Sequence, residues 1–151
     1  MYKRILAAID WTASTEAVLD ATRQVASLTG AVVRVLHVRA MDFPPLPSIL
    51  GTSASQALAA EPVASDASSV AQRMVDNAVA ALSTAGVHAE GMLLDSTPAD
   101  TPRAVLEQAR DLDAELIVLG SQHHGWPSAL LELSASDAVP RHAKSATLLV
   151  F

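Results

Sequence analysis

Short apolar runs alternate along this chain with longer segments in which apolar residues recur at helical spacing. The first run, Ile5 to Ile9, is uninterrupted, which is typical of a strand covered on both faces in a parallel sheet. Similar runs follow at 31–38, 87–94, 115–119 and 146–151. Strands separated by helices need crossover connections. The alternation therefore predicts one doubly wound α/β domain, a five-stranded parallel sheet with helices on both faces.

Capping residues and glycines mark the predicted helix boundaries. Thr12 or Ser14 can cap a first helix that Gly30 closes, and Gly86 closes a second helix in the same way. Thr101-Pro102 predicts the N-cap and the first residue of a third helix. The residues expected to face the core are Val18, Ala21, Val25 and Leu28 in the first helix, Val70, Met74, Ala78, Ala81 and Ala85 in the second, and Val105, Ala109 and Leu112 in the third.

Two segments lack a sustained apolar period. From Arg39 to about Ala64 the chain carries four of its eight prolines, which predicts a long mobile connection (about residues 40–64) of the kind that forms lids or binding loops. The segment 121–143 is expected to hold a polar loop and a last helix that Pro140 kinks or shortens. Gly91 lies inside the third predicted strand and favours an edge position for it.

Charge and composition argue against several classes of function. A net charge of -6 gives no basic field for phosphate backbones or anionic lipid, so we expect neither nucleic acid nor a membrane as a partner. The chain has no cysteine, which removes disulfides, thiolate metal sites and cysteine nucleophiles. This composition agrees with a reducing compartment, and a cytoplasmic location is expected.

Two residues at predicted strand ends are candidates for a binding site. In open α/β sheets, ligands bind beyond the carboxyl ends of the strands, where the strand order reverses. Asp10 follows the first strand, and Gly120 closes the fourth strand before a polar loop, where backbone N–H groups can hold phosphate. Each residue has an alternative role. Asp10 can simply cap the next helix, and Gly120 can serve turn geometry alone.

Other polar residues offer less chemistry. His123 and His124 are adjacent, so their side chains diverge on an extended loop, and no carboxylate lies beside them at ligand spacing. We interpret them as solvated and His37 as structural. Asp95 ends a strand as metal-binding carboxylates do in receiver domains, but the acidic cluster that such domains carry after the first strand is missing. No P-loop, G-x-G-x-x-G or G-x-S-x-G pattern occurs, so no catalytic residue, metal site or enzymatic activity is expected.

Four segments carry patterns that occur together in one protein family. KRILAAID (3–10) is similar to a K-I-L-x-x-x-D opening, and VLHV (35–38) to L-H-V. DTPRAVLEQARDLDAELIVLGS (100–121) is similar to G-x-P-x-x-x-I-L-x-x-A…A-D-L-I-V-x-G-S, and AVPRHAKSATLLV (138–150) to V-x-R-H-A-x-x-P-V-L-V. Together they resemble the universal stress protein family nearly from end to end. The resemblance implies strand order 3-2-1-4-5 and a homodimer formed through the C-terminal strand, 147–151.

Family members that bind ATP carry a spaced glycine motif after the fourth strand. It reads Gly, two residues, Gly, nine residues, then Gly-Ser or Gly-Thr. Laid on this chain, it gives Gly120, then His123 in place of the second glycine and Leu133-Ser134 in place of the final pair. A Cβ at either position narrows the approach of a ligand and disfavours positive φ. Gly125 can replace the second glycine only in a rearranged loop.

Resemblance to the ATP-binding members assigns Asp10 and the backbone of Val38 to the adenosine side of a cleft, and Gly120 and Ser134 to ribose and phosphates. GSQHHGW (120–126) is also similar to a Gly-His-His…Trp stretch in the branch that lacks the ATP motif. We therefore expect a stress-response binding or signalling module with a degenerate nucleotide cleft, in which ATP or AMP binds weakly or not at all. Two alternatives stay open: an ATP-binding protein with a rebuilt phosphate loop, and an enzyme that slowly hydrolyses nucleotides.

Overall fold

The computed structural model describes residues 1–10, 14–40, 54–97, 99–120 and 145–151, with the backbone alone described at 40 and 54–67. Strands and helices alternate along it from residue 4 to residue 120. In chain order the elements are β1 (Arg4–Ala8), α1 (Ser14–Thr29), β2 (Val32–Ala40), α2 (Ala54–Thr84), β3 (Ala89–Ser96), α3 (Thr101–Leu112), β4 (Leu116–Gly120) and β5 (Ala146–Val150). The predicted last helix, with Pro140, lies outside the described residues.

All five strands belong to one parallel sheet in the order β3-β2-β1-β4-β5, which confirms the predicted doubly wound fold and its strand order. β1 lies at the centre and pairs with both β2 and β4. β3 lies at one edge, as the glycine within it indicated. None of the described helices combines the length and the apolar character that a membrane crossing requires.

Helices cover the sheet on both faces, and the side chains of β1 divide between two cores. Ile5 and Ala7 belong to the core formed with α1 and α2, whereas Leu6 and Ala8 belong to the core formed with α3. Successive residues of a strand point to opposite faces, so β1 needs apolar side chains on both sides. Ile5, Leu6 and Ala7 are fully buried. This two-sided burial explains the uninterrupted apolar run in the sequence.

The predicted core stripes of α1 and α2 are confirmed in part. Val18 and Ala78 are buried, and Ala21, Val25 and Met74 pack against the core. Leu28 of α1 is 82% exposed, and Val70 of α2 is 44% exposed. Ala81 and Ala85 are exposed as well. The buried positions are Ser14, Val18, Thr22 and Ala26 in α1, and Ala71, Val75, Ala78 and Leu82 in the part of α2 whose side chains are described. Both helices carry two overlapping apolar stripes, and contact with the sheet selects between them.

Helix α2 begins earlier than predicted. Its first residue is Ala54, so the irregular connection expected to reach about Ala64 is wrong for residues 54–64. Arg39 and Ala40 belong to β2, and residues 41–53 lie outside the described part of the chain. The alanine-rich sequence around Pro62 favours a helix strongly enough to continue through the proline.

The ends of the helices follow the expected residues with one correction. Gly30 and Gly86 have φ of +70° and +81° at the ends of α1 and α2, the left-handed conformation that glycine adopts without strain. Asp100, not Thr101, is the N-cap residue of α3. Thr101 is already helical and buried, and its hydroxyl donates to the Thr97 carbonyl at 2.8 Å.

Gly91 of β3 lies against helix α2 with no room for a side chain. A Cβ at this position would lie 2.5 Å from Val75 Cγ1 and 3.1 Å from Val79 Cγ2. We expect Gly91→Ala to lower the free energy of unfolding by about 1–3 kcal/mol, because the helix must move away from the strand. Urea denaturation of the variant measures this loss.

A second substitution separates this contact from general weakening of the strand. Val75→Ala makes room for the new Cβ, so the double variant should lose less stability than the two single losses added together, with a coupling of about 1 kcal/mol. Additive losses would contradict the contact.

Candidate functional site

The strand order reverses between β1 and β4, which are neighbours in the sheet. From β1 the chain crosses to β2 on one side, whereas β5 lies on the other side of β4. This arrangement opens a crevice above the carboxyl ends of β1 and β4, where open α/β sheets bind ligands. Asp10 lies just beyond β1, and Gly120 is the last residue of β4, so the structure places both at this crevice.

Gly120 allows the first turn of α1 to approach the end of β4. An added Cβ would lie 2.8 Å from Ser14 Cβ and 3.7 Å from Val18 Cγ2. Ser14 is itself buried. The positive-φ glycines of the described chain are Gly30 and Gly86, so Gly120 is needed here for space and not for an unusual backbone conformation. Gly120 thus sets how closely α1 approaches the crevice.

Asp10 is half-buried and is tied to the start of α1 through Thr15. The Asp10 N–H donates to Thr15 Oγ1 at 3.2 Å, and the Thr15 hydroxyl donates to the Asp10 carbonyl. Thr15 Oγ1 also lies 3.4 Å from Asp10 Oδ1. These contacts hold Asp10 at the crevice through a side chain in the first turn of α1.

The main chain of Val38 faces the same end of the sheet. Ile9 N–H donates to the Leu36 carbonyl at 2.9 Å, and Val33 N–H donates to the His88 carbonyl at 2.9 Å on the β3 side. Because N–H and C=O groups alternate in direction along a strand, Val38 directs both toward β1, as Leu36 does. β1–β2 pairing stops at Ala8 and Leu36, so this pair of groups lies beyond the last paired residue.

A cavity of about 520 Å³ opens between α1 and α2 beside Asp10. Leu19 and Met74 give it apolar walls, and Arg73 and Asn77 add polar groups. Its volume lies in the range of small-molecule sites. Among the three predicted site residues that the structure describes, Asp10, Val38 and Gly120, the cavity is lined by Asp10. Sequence patterns gave no signal for Arg73 or Asn77, because both occupy the polar side of a predicted helix.

Asp95, the other carboxylate at a strand end, is held by an arginine. Arg39 Nε donates to Asp95 Oδ1 at 2.6 Å, and Arg39 Nη2 donates to Oδ2 at 2.8 Å. These hydrogen bonds hold the pKa of Asp95 below its usual value of 3.8. Within the described ranges no three His, Cys, Asp or Glu side chains are grouped to bind a metal ion. Asp95 therefore acts in an ion pair between β2 and β3.

The phosphate side of the predicted site lies outside the described residues. This applies to Ser134, and to His123, Gly125 and Leu133 of the altered glycine motif. The structure therefore brings Asp10, the Val38 main chain and Gly120 to the carboxyl end of the sheet. The assignment of Ser134 stays a prediction.

The sequence of this chain matches the model of one protein family. The sequence model described as the universal stress protein family matches residues 1–150. No curated protein matches the chain in sequence.

Solved structures of similar fold cover nearly the whole chain. A universal stress protein family member from Burkholderia pseudomallei is 25% identical, covering 99% of this chain and 96% of its own, with a TM-score of 0.69. UspA from Lactobacillus plantarum is 18% identical, covering 99% and 98%, with a TM-score of 0.68. A universal stress protein from Archaeoglobus fulgidus in complex with dAMP is 20% identical, covering 99% and 98%, with a TM-score of 0.64.

The ion pair at the β2–β3 edge makes a prediction about pH. Since the folded-state pKa of Asp95 is lowered, the pair stabilises the fold above about pH 4, and this stabilisation is lost as the pH falls through the lowered pKa. We expect Asp95→Asn to lower the free energy of unfolding at about pH 7 by at most about 1 kcal/mol, because the carboxylate is half exposed. Near about pH 2 the variant and the wild type should unfold alike.

Urea denaturation at both pH values checks this expectation. Arg39→Gln serves as the matched variant, since Asp95→Asn should cost nothing further in its background. An equal loss at both pH values would show that the effect of Asp95→Asn is not electrostatic.

Proposed function

Because the chain belongs to the universal stress protein family, we propose that it is a cytoplasmic stress-response binding module whose cleft takes the adenosine part of a nucleotide and gains little affinity from the phosphates. The observation that carries this proposal is the position of the Val38 main chain, which directs an N–H and a C=O past the end of β1. Asp10 lies at the same edge. The proposal involves no chemical step.

The adenosine side has groups that match a purine base and a ribose. Adenine presents a ring-nitrogen acceptor next to an exocyclic amine donor. A main-chain N–H and C=O of one residue can pair with such an edge, and the Asp10 carboxylate can accept from a hydroxyl or an amine. The dAMP complex of the Archaeoglobus relative supports an adenine nucleotide as the ligand class.

The phosphate side has lost features that phosphate binding uses. His123 and Leu133 stand in the sequence where ATP-binding members carry glycines, and a Cβ at such positions disfavours the close backbone approach that phosphate binding uses. The chain also has a net charge of -6, and Asp10 adds negative charge at the crevice itself. Each added phosphate therefore meets little compensation. These features support weak binding in which AMP and ATP are nearly equivalent.

Isothermal titration with AMP and ATP tests this proposal. We expect dissociation constants on the order of 0.1–1 mM for both nucleotides, differing by no more than about threefold. Asp10→Asn should weaken AMP binding about tenfold, because it removes a charged acceptor. Asp20→Asn is the matched control, since Asp20 lies on the exposed side of α1 and should leave the affinity unchanged.

Two results would overturn the proposal. ATP binding at about 1 µM, with AMP much weaker, would favour the alternative in which the phosphate loop is rebuilt around Gly125. Failure of both nucleotides to bind would show that the cleft is not an adenosine site.

We also propose that the protein forms a homodimer through β5. This strand pairs with β4 and lies at the edge of the described sheet. Ala146 N–H donates to the Glu115 carbonyl at 2.9 Å, so the alternate residues Thr147 and Leu149 direct their N–H and C=O groups away from β4. Thr147 is exposed. An exposed edge of this kind can pair with the same strand of a second copy.

Thr147→Pro tests the dimer because proline removes one of the two N–H groups that β5 directs away from β4. We expect the dissociation constant of the dimer, measured by light scattering over a dilution series, to rise at least about tenfold. Thr147→Val keeps the N–H and should remain dimeric. A wild-type protein with the mass of one chain at every concentration would refute the dimer.

A further inference from the structure

The described hydrogen-bond ladder between β1 and β2 ends at Leu36, four residues before β2 itself ends at Ala40. Ile9 N–H makes the last β1–β2 bond described, to the Leu36 carbonyl at 2.9 Å. In a parallel ladder the next bond would run from Val38 N–H to the Ile9 carbonyl. This bond is not formed between these two described residues, although β2 continues to Ala40 in register with β3.

A side chain takes the place of that missing donor. His37 Nδ1 lies 2.9 Å from the Ile9 carbonyl oxygen. A carbonyl oxygen only accepts, so Nδ1 carries the proton and donates. The ring is 3% exposed and contacts Ile9 from the side of the sheet covered by α1 and α2. The carbonyl is thereby satisfied without the main chain of β2.

From this geometry we propose that His37 is a positioning residue of the ligand cleft. The Nδ1–H of its ring donates to the Ile9 carbonyl, and the β1–β2 ladder therefore ends before Val38. The N–H and C=O of Val38 thus stay directed at the crevice beside Asp10. The inference rests on the proposed adenosine site for its functional meaning. The effect on the ladder is a property of the free protein and can be measured without a ligand.

The alternative is that His37 only fills the core. In that case the Val38 N–H would stay unbonded to Ile9 whatever side chain stands at position 37. Under the positioning role, loss of the ring donor leaves the Ile9 carbonyl buried and without its partner, which is costly. The Val38 N–H is the next donor along the ladder, so it should donate to the Ile9 carbonyl. The β1–β2 ladder would then extend to Val38, and this N–H would no longer face the crevice.

Through-hydrogen-bond NMR couplings in the ligand-free protein test the ladder directly. In the wild type we expect a coupling from the Ile9 amide nitrogen to the Leu36 carbonyl carbon, which is the internal control, and none from the Val38 nitrogen to the Ile9 carbonyl carbon. Ring ¹⁵N shifts of His37 should show a protonated Nδ1. A Val38–Ile9 coupling in the wild type would overturn the proposal before any variant is made.

Two variants of nearly equal size isolate the Nδ1 donor. Asn places an amide N–H₂ where the His37 Nδ1 lies, whereas Leu places a methyl group there, and both lack the second ring nitrogen. We expect His37→Leu to gain the Val38–Ile9 coupling and to slow hydrogen exchange of the Val38 amide at least about tenfold. His37→Asn should retain the wild-type pattern. Equal patterns in the two variants would refute the positioning role.

Titration with AMP, followed by NMR shifts, separates the two proposals. We expect His37→Leu to weaken AMP binding about tenfold and His37→Asn to retain most of the wild-type affinity.

If AMP fails to bind the wild type while the couplings behave as described, the adenosine proposal fails and the ladder effect stands. If AMP binds both variants as it binds the wild type, the positioning role is wrong. If His37→Leu does not fold, the wild-type couplings and the AMP affinity of His37→Asn still test the positioning role. Abolished AMP binding in His37→Asn would overturn it, because this variant keeps the donor to the Ile9 carbonyl.

Discussion

β1 is hydrogen-bonded to a strand on each side and covered by helices on both faces, and this confinement determines the rest of the site. A strand held in this way cannot shift its register without moving side chains between the two cores. The chain can therefore leave the sheet only beyond Ala8, at the edge where the strand order reverses. Helix α1 must begin within a few residues of that point. Its first turn then approaches the end of β4 closely, which only a glycine at position 120 permits.

The parts of the fold that depend on local sequence and two-sided burial could be predicted, and those that depend on a choice between similar surfaces could not. The run Ile5–Ile9 and the turn glycines Gly30 and Gly86 each have one physical interpretation, and the structure confirms them. The buried face of α2 has two possible interpretations, because the apolar residues of this helix form two stripes one residue apart. Contact with β3, where Gly91 leaves space for Val75, decides between them.

The candidate site divides in the same way. A polar residue directly after a central strand is visible in the sequence, and Asp10 lies where that pattern places it. The hydrogen bond from His37 to the Ile9 carbonyl spans 28 residues and depends on the register of β1 and β2, so sequence reasoning gave His37 a structural role only. The pairing of Arg39 with Asp95 likewise follows from β2–β3 register. The residues beside Gly120 belong to a segment for which the family motif and this chain disagree.

The two halves of such a cleft rely on different kinds of group, which explains how one can change without the other. Main-chain N–H and C=O groups at a strand end exist whatever side chain the residue carries, so the adenosine side depends on register and on where the ladder stops. A phosphate cradle depends on backbone that approaches an anion closely, and a single Cβ can close that approach. This chain departs from the family's glycine motif at His123 and Leu133, on the phosphate side, whereas the position of the Val38 main chain follows from the register of β2 against β1 and β3.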